Sequence, residues 1–146
     1  MTLTIRNARP EDEDRLFFML LDMARENSKY PVAAQKALEH IRSIIATGGA
    51  ALIEDDGELV GSAGVSLQSA WFSNKQFLGD SWFYVVPSHR SSRAAVMLKG
   101  ALIEFADTLG LDLVLAVFST NDPDRKTAFI GKGMKSMGGT FMREAG

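Results

Sequence analysis

Trp82-Phe83-Tyr84-Val85-Val86-Pro87-Ser88-His89-Arg90-Ser91-Ser92-Arg93-Ala94-Ala95-Val96-Met97-Leu98 holds the end of a strand, a polar turn and the start of a helix. The apolar run from Phe77 to Val86 is rich in aromatic and β-branched residues and ends at Pro87, as a strand does. Its alternation places Asp80, Trp82 and Tyr84 on one face and Ser81, Phe83 and Val85 on the other. Beyond the turn, Ala94, Ala95, Leu98, Ala101, Leu102, Phe105 and Leu109 recur at helical spacing, which predicts a helix over 92–110 closed by Gly110. Between them lies Arg90-Ser91-Ser92-Arg93. The first turn of a helix leaves backbone N–H groups unpartnered at the positive end of its dipole, so this turn is suited to an anion, most often a phosphate.

Outward from this unit, Thr2–Ala8 reads as a first strand, and Pro10 followed by Glu11-Asp12-Glu13-Asp14 opens a helix whose stripe is Leu16, Met19, Leu20 and Met23. Consecutive acids on one turn point in different directions, so the cluster reads as a solvated helix N-terminus and not as a metal site. A second helix is expected over 32–47, carrying Ala34, Ala37, Leu38, Ile41, Ile44 and Ile45. Asp55-Asp56-Gly57 between two apolar runs, 50–54 and 58–67, is a hairpin signal, and Gly61 and Gly64 suggest a bulge or a close neighbour. The loop 68–75 holds Trp71 and Phe72, read first as core lids, with a pocket wall or a dimer contact as the other readings. The apolar stretch 111–119 reads as a central strand covered on both faces, 124–132 as a short helix capped by Asn121-Asp122-Pro123, and 136–144 as a last strand or hairpin.

At 146 residues, the chain is one domain able to bury a core without staples. A net charge of −2 with no long block of like charge advertises neither a nucleic-acid surface nor a membrane anchor. Absence of cysteine removes disulfides, thiol nucleophiles and cysteine-ligated metals. The N-terminal stretch lacks the apolar core of a signal peptide, so a soluble cytoplasmic protein is expected.

The element order β-α-α-β-β-β-α-β-α-β, with Val85, Pro87, Arg90 and Ala95 around the turn, resembles the GCN5-related N-acetyltransferase (GNAT) family over essentially the whole chain. The resemblance implies an α/β (α+β) fold: a mixed, mostly antiparallel sheet of six to seven strands with about four helices, in a single domain over 1–146. It implies acetyl-CoA as acetyl donor, with the pantetheine arm beside Val85 and Val86 and the pyrophosphate on Arg90, Ser91, Ser92, Arg93, Ala94 and Ala95. Arg93 stands where the family usually has glycine; it keeps its N–H and adds a cation.

Acetyl transfer also needs a group to take the proton of the ammonium and one to stabilise the departing thiolate. Asp80 occupies about the place of the family's fourth-strand carboxylate and is the expected base. The family's late pattern, an asparagine followed by a tyrosine that protonates the thiolate, is matched at Asn121, but Phe129 replaces the tyrosine and has no proton to give. Tyr84, Ser119 or water are left for that task. The histidines His40 and His89 read as surface residues, and Tyr30 as a substrate contact only by the resemblance. The implied function is direct N-acetylation of a small-molecule or protein amine, and an edge strand with the Trp71-Phe72 loop leaves room for a homodimer. A non-catalytic CoA-binding domain of the same fold is the competing reading, favoured by Phe129 and Arg93. A nucleotide-binding α/β domain is the third, and it lacks a Gly-x-Gly-x-x-Gly or P-loop in the expected context.

Overall fold

The computed structural model describes residues 2–117, 119 and 121–146. The chain runs β1 (Leu3–Asn7), α1 (Glu13–Asn27), α2 (Ala34–Ala46), β2 (Ala50–Asp55), β3 (Glu58–Ser69), β4 (Gln76–Val85), α3 (Ala94–Leu109), β5 (Leu113–Val114) and α4 (Pro123–Gly131). The strands lie in the order β1-β2-β3-β4-β5. Neighbours are antiparallel except β4 and β5, which are parallel. Asp56 and Gly57, at φ 50° and 85°, make the tight turn between β2 and β3 that two positive-φ residues favour.

Two cores sandwich this sheet. On one face, Leu16, Met19 and Leu20 of α1 and Ile41, Ile44 and Ile45 of α2 pack on Leu52, Trp82 and Tyr84. On the other, Ala94, Leu98, Leu102 and Ala106 of α3 pack on Ile53, Val60, Ala63, Val65, Leu78 and Val85. Leu78 and Trp82 lie in opposite cores although four residues apart, because the register shifts between Gly64 and Val65, leaving Ser81 unpaired as a bulge in β4. The bulge corrects the expected alternation. Ser81 turns to α2, where His40 Nε2 lies 2.8 Å from its Oγ, and Asp80, two residues from Leu78, leaves the face of Trp82 and Tyr84. His40, expected as a plain surface residue, also meets Trp82 edge to face.

The Trp82 ring lies over Gly64, where an added Cβ would stand 2.6 Å from ring carbons, so the close neighbour expected at this glycine is the indole. Trp82 Nε1 donates to Ser62 Oγ at 2.9 Å, and Ser62 donates onward to Ala51 O at 2.8 Å, so both buried polar groups are satisfied.

Four further expectations are corrected. The sheet has five strands among the described residues, not six to seven. The stretch 111–119 is not a central strand: among its described residues only Leu113–Val114 pairs, at the sheet edge, and its leucines and valines are half-buried; Phe118 lies outside the described residues. The stretch 136–144 is irregular, with Gly138 at φ 121°, and an edge strand of two residues gives it no ladder to extend. Trp71 and Phe72 are not core lids: they are 97% and 74% exposed and touch each other edge to face at the tip of the β3–β4 hairpin.

The acidic start of α1 is only partly solvated. Asp12 is buried, 3% exposed, and accepts from both Arg6 guanidinium nitrogens at 2.8 and 2.9 Å and from the Arg9 N–H at 2.8 Å. Arg15 adds a bond to Asp12 and one to Glu54, which also holds Arg6. This network ties β1, α1 and β2 together, and Arg6 holds the Asp12 carboxyl well below the usual carboxylate range. Glu13 pairs with Arg42 of α2. No helix among the described residues is long and apolar enough to cross a membrane.

Gly64→Ala forces the indole from its seat and is expected to cost about 1–3 kcal/mol, seen by calorimetry as a Tm lower by several degrees at roughly 2–4 °C per kcal/mol. Asp12 has a depressed pKa in the fold, so its contribution is fully present above the unfolded value of about 3.9 and is lost as pH falls below it. The Tm gap between wild type and Asp12→Asn is therefore widest near neutral pH and closes in acid.

Candidate active site

The parallel pairing of β4 with β5 lasts for two residue pairs, Leu78 with Leu113 and Gly79 with Val114. Past that point the two segments part, and from Trp82 to Val85 the strand is bonded to β3 alone among the described residues. Val86 N donates to Val60 O at 2.9 Å, so strand alternation turns the main-chain groups of Val85 and Phe83 toward the unpaired side. Asp80 stands at the apex of this wedge, where its Oδ1 accepts from Ala116 N at 3.1 Å and replaces the ladder bond that ends there. Burial pushes its carboxyl above the ordinary carboxylate range; the Ala116 N–H pulls the other way and is the weaker effect.

The wide end of the wedge meets the turn before α3. Pro87–His89 form one 3-10 turn, and His89 is no free surface residue: Nε2 lies 2.9 Å from Asp55 Oδ2 and Nδ1 lies 2.8 Å from Ser88 Oγ. Ser92 Oγ donates to His89 O at 2.5 Å and accepts from Ala94 N at 3.2 Å, so it takes the first amide of the helix. Ala94 is fully buried beneath α3, and Ala95 is half-buried. The next amides, those of Ala95 and Val96, have no acceptor within the helix, as first-turn amides never do. Ser91 and Arg93 are exposed, and they share with Ser92, Leu3 and Met97 the wall of an open hollow of 460 Å³. Arg93 has no side-chain partner among the described residues.

Arg90 points elsewhere. Its Nη1 and Nη2 lie 2.6 and 2.8 Å from the two carboxylate oxygens of Glu26, at the end of α1, and its Nε donates to Val85 O at 3.0 Å. The guanidinium also lies over the Tyr84 ring, 5.4 Å from the centroid. Tyr84 donates its hydroxyl to Glu26 Oε2 at 2.7 Å, and Asn121 Nδ2 donates to Glu26 Oε1 at 3.2 Å. Arg90 holds the Glu26 carboxyl down at about 2. Burial, and then the Glu26 carboxylate, push the Tyr84 phenol up to about 12.

Helix α4 closes the outer side. Phe129 faces Phe83 with ring centroids 6.3 Å apart, and Lys99 of α3 donates to Phe129 O and Lys132 O at 3.0 and 2.8 Å. Lys126 Nζ donates to Asn27 Oδ1 at 2.6 Å and Ser119 Oγ at 3.0 Å, and burial lowers its pKa. Tyr30 lies apart, 55% exposed, beside a second hollow of 410 Å³ with Leu21, Arg25 and Val32.

The fold thus gathers Asp80, Tyr84, Val85, Arg90, Asn121 and Phe129 around one wedge, with Ser91, Ser92, Arg93, Ala94 and Ala95 at its wide end. Val86 has its N–H committed to β3. Sequence reasoning missed Glu26 and Asn27, and it read Lys126 only as one of a basic group, mostly solvated or near a cofactor phosphate, whereas its Nζ is held by Asn27 and Ser119. One signal existed for Glu26: an acid in the last turn of a helix opposes the dipole there, so a cation had to be holding it.

The chain and its fold have counterparts among known proteins. The model of the "Acetyltransferase (GNAT) family" matches residues 12–128. No curated protein sequence matches the chain. Among solved structures, a predicted acetyltransferase of Clostridium acetobutylicum with acetyl-CoA is 12% identical, with 98% of this chain and 96% of that one covered at a TM-score of 0.75. The aminoglycoside N-acetyltransferase AAC(6')-Iy in complex with CoA is 13% identical, covering 99% and 95% at 0.74. A ribosomal-protein-alanine N-acetyltransferase of Brucella melitensis is 17% identical, covering 99% and 100% at 0.71. At such identities the structures speak for the fold alone, whereas the family model spans both helices of the first core, the bulged strand and the turn: the chain belongs to the GNAT acetyltransferase family.

Proposed function

We propose that this protein is an acetyl-CoA-dependent N-acetyltransferase that passes the acetyl group directly to an amine of a small molecule or protein. The observation that carries the reading is the wedge, an open β4 edge running from a half-buried carboxylate to the N-terminus of α3. The donor set fits CoA. First-turn amides of α3, the Ser91 hydroxyl and the Arg93 guanidinium suit a pyrophosphate. The Val85 N–H on the open edge suits an amide-bearing arm laid along the strand. Bound there, acetyl-CoA supplies an activated thioester.

The chain's own part is to remove a proton and keep the reactants aligned. Two carboxylates adjoin the wedge, and their surroundings push them apart. Glu26, paired with Arg90 and held near 2, is too acidic to take a proton from an ammonium. Asp80, raised by burial, is the better base. Tyr84 has its proton on Glu26 and a phenol held near 12, so it is a poor donor to a thiolate. Phe129 offers packing only. The thiol, with an ordinary pKa of about 8.5, leaves as thiolate or takes its proton from water. The competing reading, a CoA-binding domain without turnover, draws on the same lack of a proton donor.

Saturation with acetyl-CoA at about 100 times Kd is expected to add roughly 2.7 kcal/mol, a Tm rise of several degrees not produced by NAD or ATP. Thiol release on adding amines then identifies turnover; a Tm rise with no release under any amine leaves the binding domain. Asp80→Asn keeps an acceptor for the Ala116 N–H and is expected to lower kcat roughly 10²–10⁴-fold with CoA affinity unchanged. Because a raised carboxyl destabilises the fold increasingly as pH climbs through its folded pKa, the variant is expected to be no less stable than wild type at neutral pH. The acid-side fall of the wild-type kcat/KM profile that comes from protonating Asp80 is expected to disappear in the variant, whereas the limb set by the amine's own ionisation stays. A variant with full activity removes Asp80 from the mechanism.

A further inference from the structure

Glu26 belongs to none of the expected roles, yet it is bonded to several parts of the wedge at once. From the end of α1 it reaches three other parts of the molecule: Arg90 of the turn by two short ion-pair contacts, the Tyr84 hydroxyl of β4, and the Asn121 side chain before α4. Its neighbour Asn27 receives Lys126 of α4 and the Ser119 hydroxyl. The end of α1 therefore spans the mouth of the wedge. The Arg90 guanidinium is consumed on the way: both terminal nitrogens lie on Glu26, and Nε lies on the Val85 carbonyl.

Resting on the acetyltransferase reading, we propose that Glu26 is a positioning residue for the transfer: it holds Arg90 across the end of β4, so that Arg90 braces the wedge and does not bind phosphate, and it accepts the Tyr84 hydroxyl's hydrogen bond. Phosphate recognition then falls to the α3 amides and to Arg93. Other charged groups near the pair are few: Asp22 of α1 acts on Tyr84, and Lys126 of α4 acts on Glu26 and Arg90.

The test uses the full chain, CoA as the probe, and the variants Glu26→Gln, Arg90→Gln, Arg93→Gln and the double variant Glu26→Gln/Arg90→Gln. Calorimetric titration is expected to give Arg90→Gln and the double variant a CoA Kd within about threefold of wild type, whereas Arg93→Gln weakens binding about tenfold, as loss of one charge-assisted phosphate bond does. The double variant removes both charges at once, so an unpaired Glu26 does not confuse the result. Glu26→Gln is expected to lower kcat about tenfold with the KM for acetyl-CoA within about threefold, the mark of lost alignment and not of lost binding. The chain has two tyrosines, so in a Tyr30→Phe background the tyrosinate absorbance reports Tyr84 alone. Its midpoint falls toward the ordinary phenol value in Glu26→Gln and rises above it with Glu26 in place. A tenfold loss of CoA affinity in the double variant makes Arg90 a phosphate ligand and overturns the proposal, as does an unchanged Tyr84 titration or an unchanged kcat in Glu26→Gln. A wild-type chain that fails to bind CoA at all sinks the acetyltransferase reading and this role together, whereas binding without the variant effects sinks this role alone.

Discussion

Everything at the candidate site depends on β4 losing its neighbour. A strand inside a sheet has both rows of main-chain groups satisfied, and a strand that parts from its partner exposes one row. Here the parting comes after Gly79 and Val114, and the chain mends the ladder at both ends with side chains. Asp80 takes the N–H of Ala116 at the apex, and Arg90 gives Nε to the carbonyl of Val85 at the mouth. Between these two repairs lies the open edge, bounded by groups that can do chemistry because they were recruited to hold a strand end.

The bulge at Ser81 sets which groups those are. A regular strand would have put Asp80 with Trp82 and Tyr84 over the α1–α2 core. One extra residue moves Asp80 to the other side while Trp82 keeps its seat over Gly64 and its bond to Ser62. The two carboxylates of the wedge are thereby separated in environment. Glu26 has a guanidinium, a phenol and an amide, and is held ionised. Asp80 has only backbone amides, those of Ala116 and its own, and no cation, so burial wins and its proton is retained more readily. A pair driven apart in this way is the usual basis for assigning one carboxylate to structure and the other to proton transfer.

The strand, the turn and the helix α3 were legible because each has a local cause: β-branched and aromatic residues before Pro87, then an apolar stripe at helical spacing ended by Gly110 in the left-handed region. So was the β2–β3 hairpin, from Asp56-Gly57. The bulge was signalled only from the partner strand, at Gly64, and its place in β4 was not legible, since nothing in Gly79-Asp80-Ser81 distinguishes a residue without a partner from one with a partner. The apolar stretch 111–119 read as a buried strand, but an apolar run says only that its residues seek cover. The α3 side of the sheet provides that cover for Leu111 and Leu115 without a ladder. Glu26 escaped notice because its partners are about 60 and 95 residues away, at Tyr84, Arg90 and Asn121, and no spacing rule spans such distances.

The two departures from the family pattern take on physical sense together with that ion pair. Glycine in the turn is needed where φ is positive or the backbone must approach a ligand without a side chain in the way. Arg93 sits at φ −80°, which any L-residue adopts, and its side chain is exposed, so the substitution carries no backbone strain. It also replaces something. With Arg90 neutralised by Glu26, the turn would have no free guanidinium, and Arg93 supplies one beside the unpartnered amides of α3. Phe129 likewise exchanges a hydroxyl for packing: its ring meets Phe83 and lies under Lys99 Nζ, and the same lysine holds its carbonyl. Helix α4 buries no residue completely, so this aromatic contact and a handful of polar bonds are what dock it beside the wedge. A tyrosine hydroxyl there would add a proton donor, but the ring carries the docking.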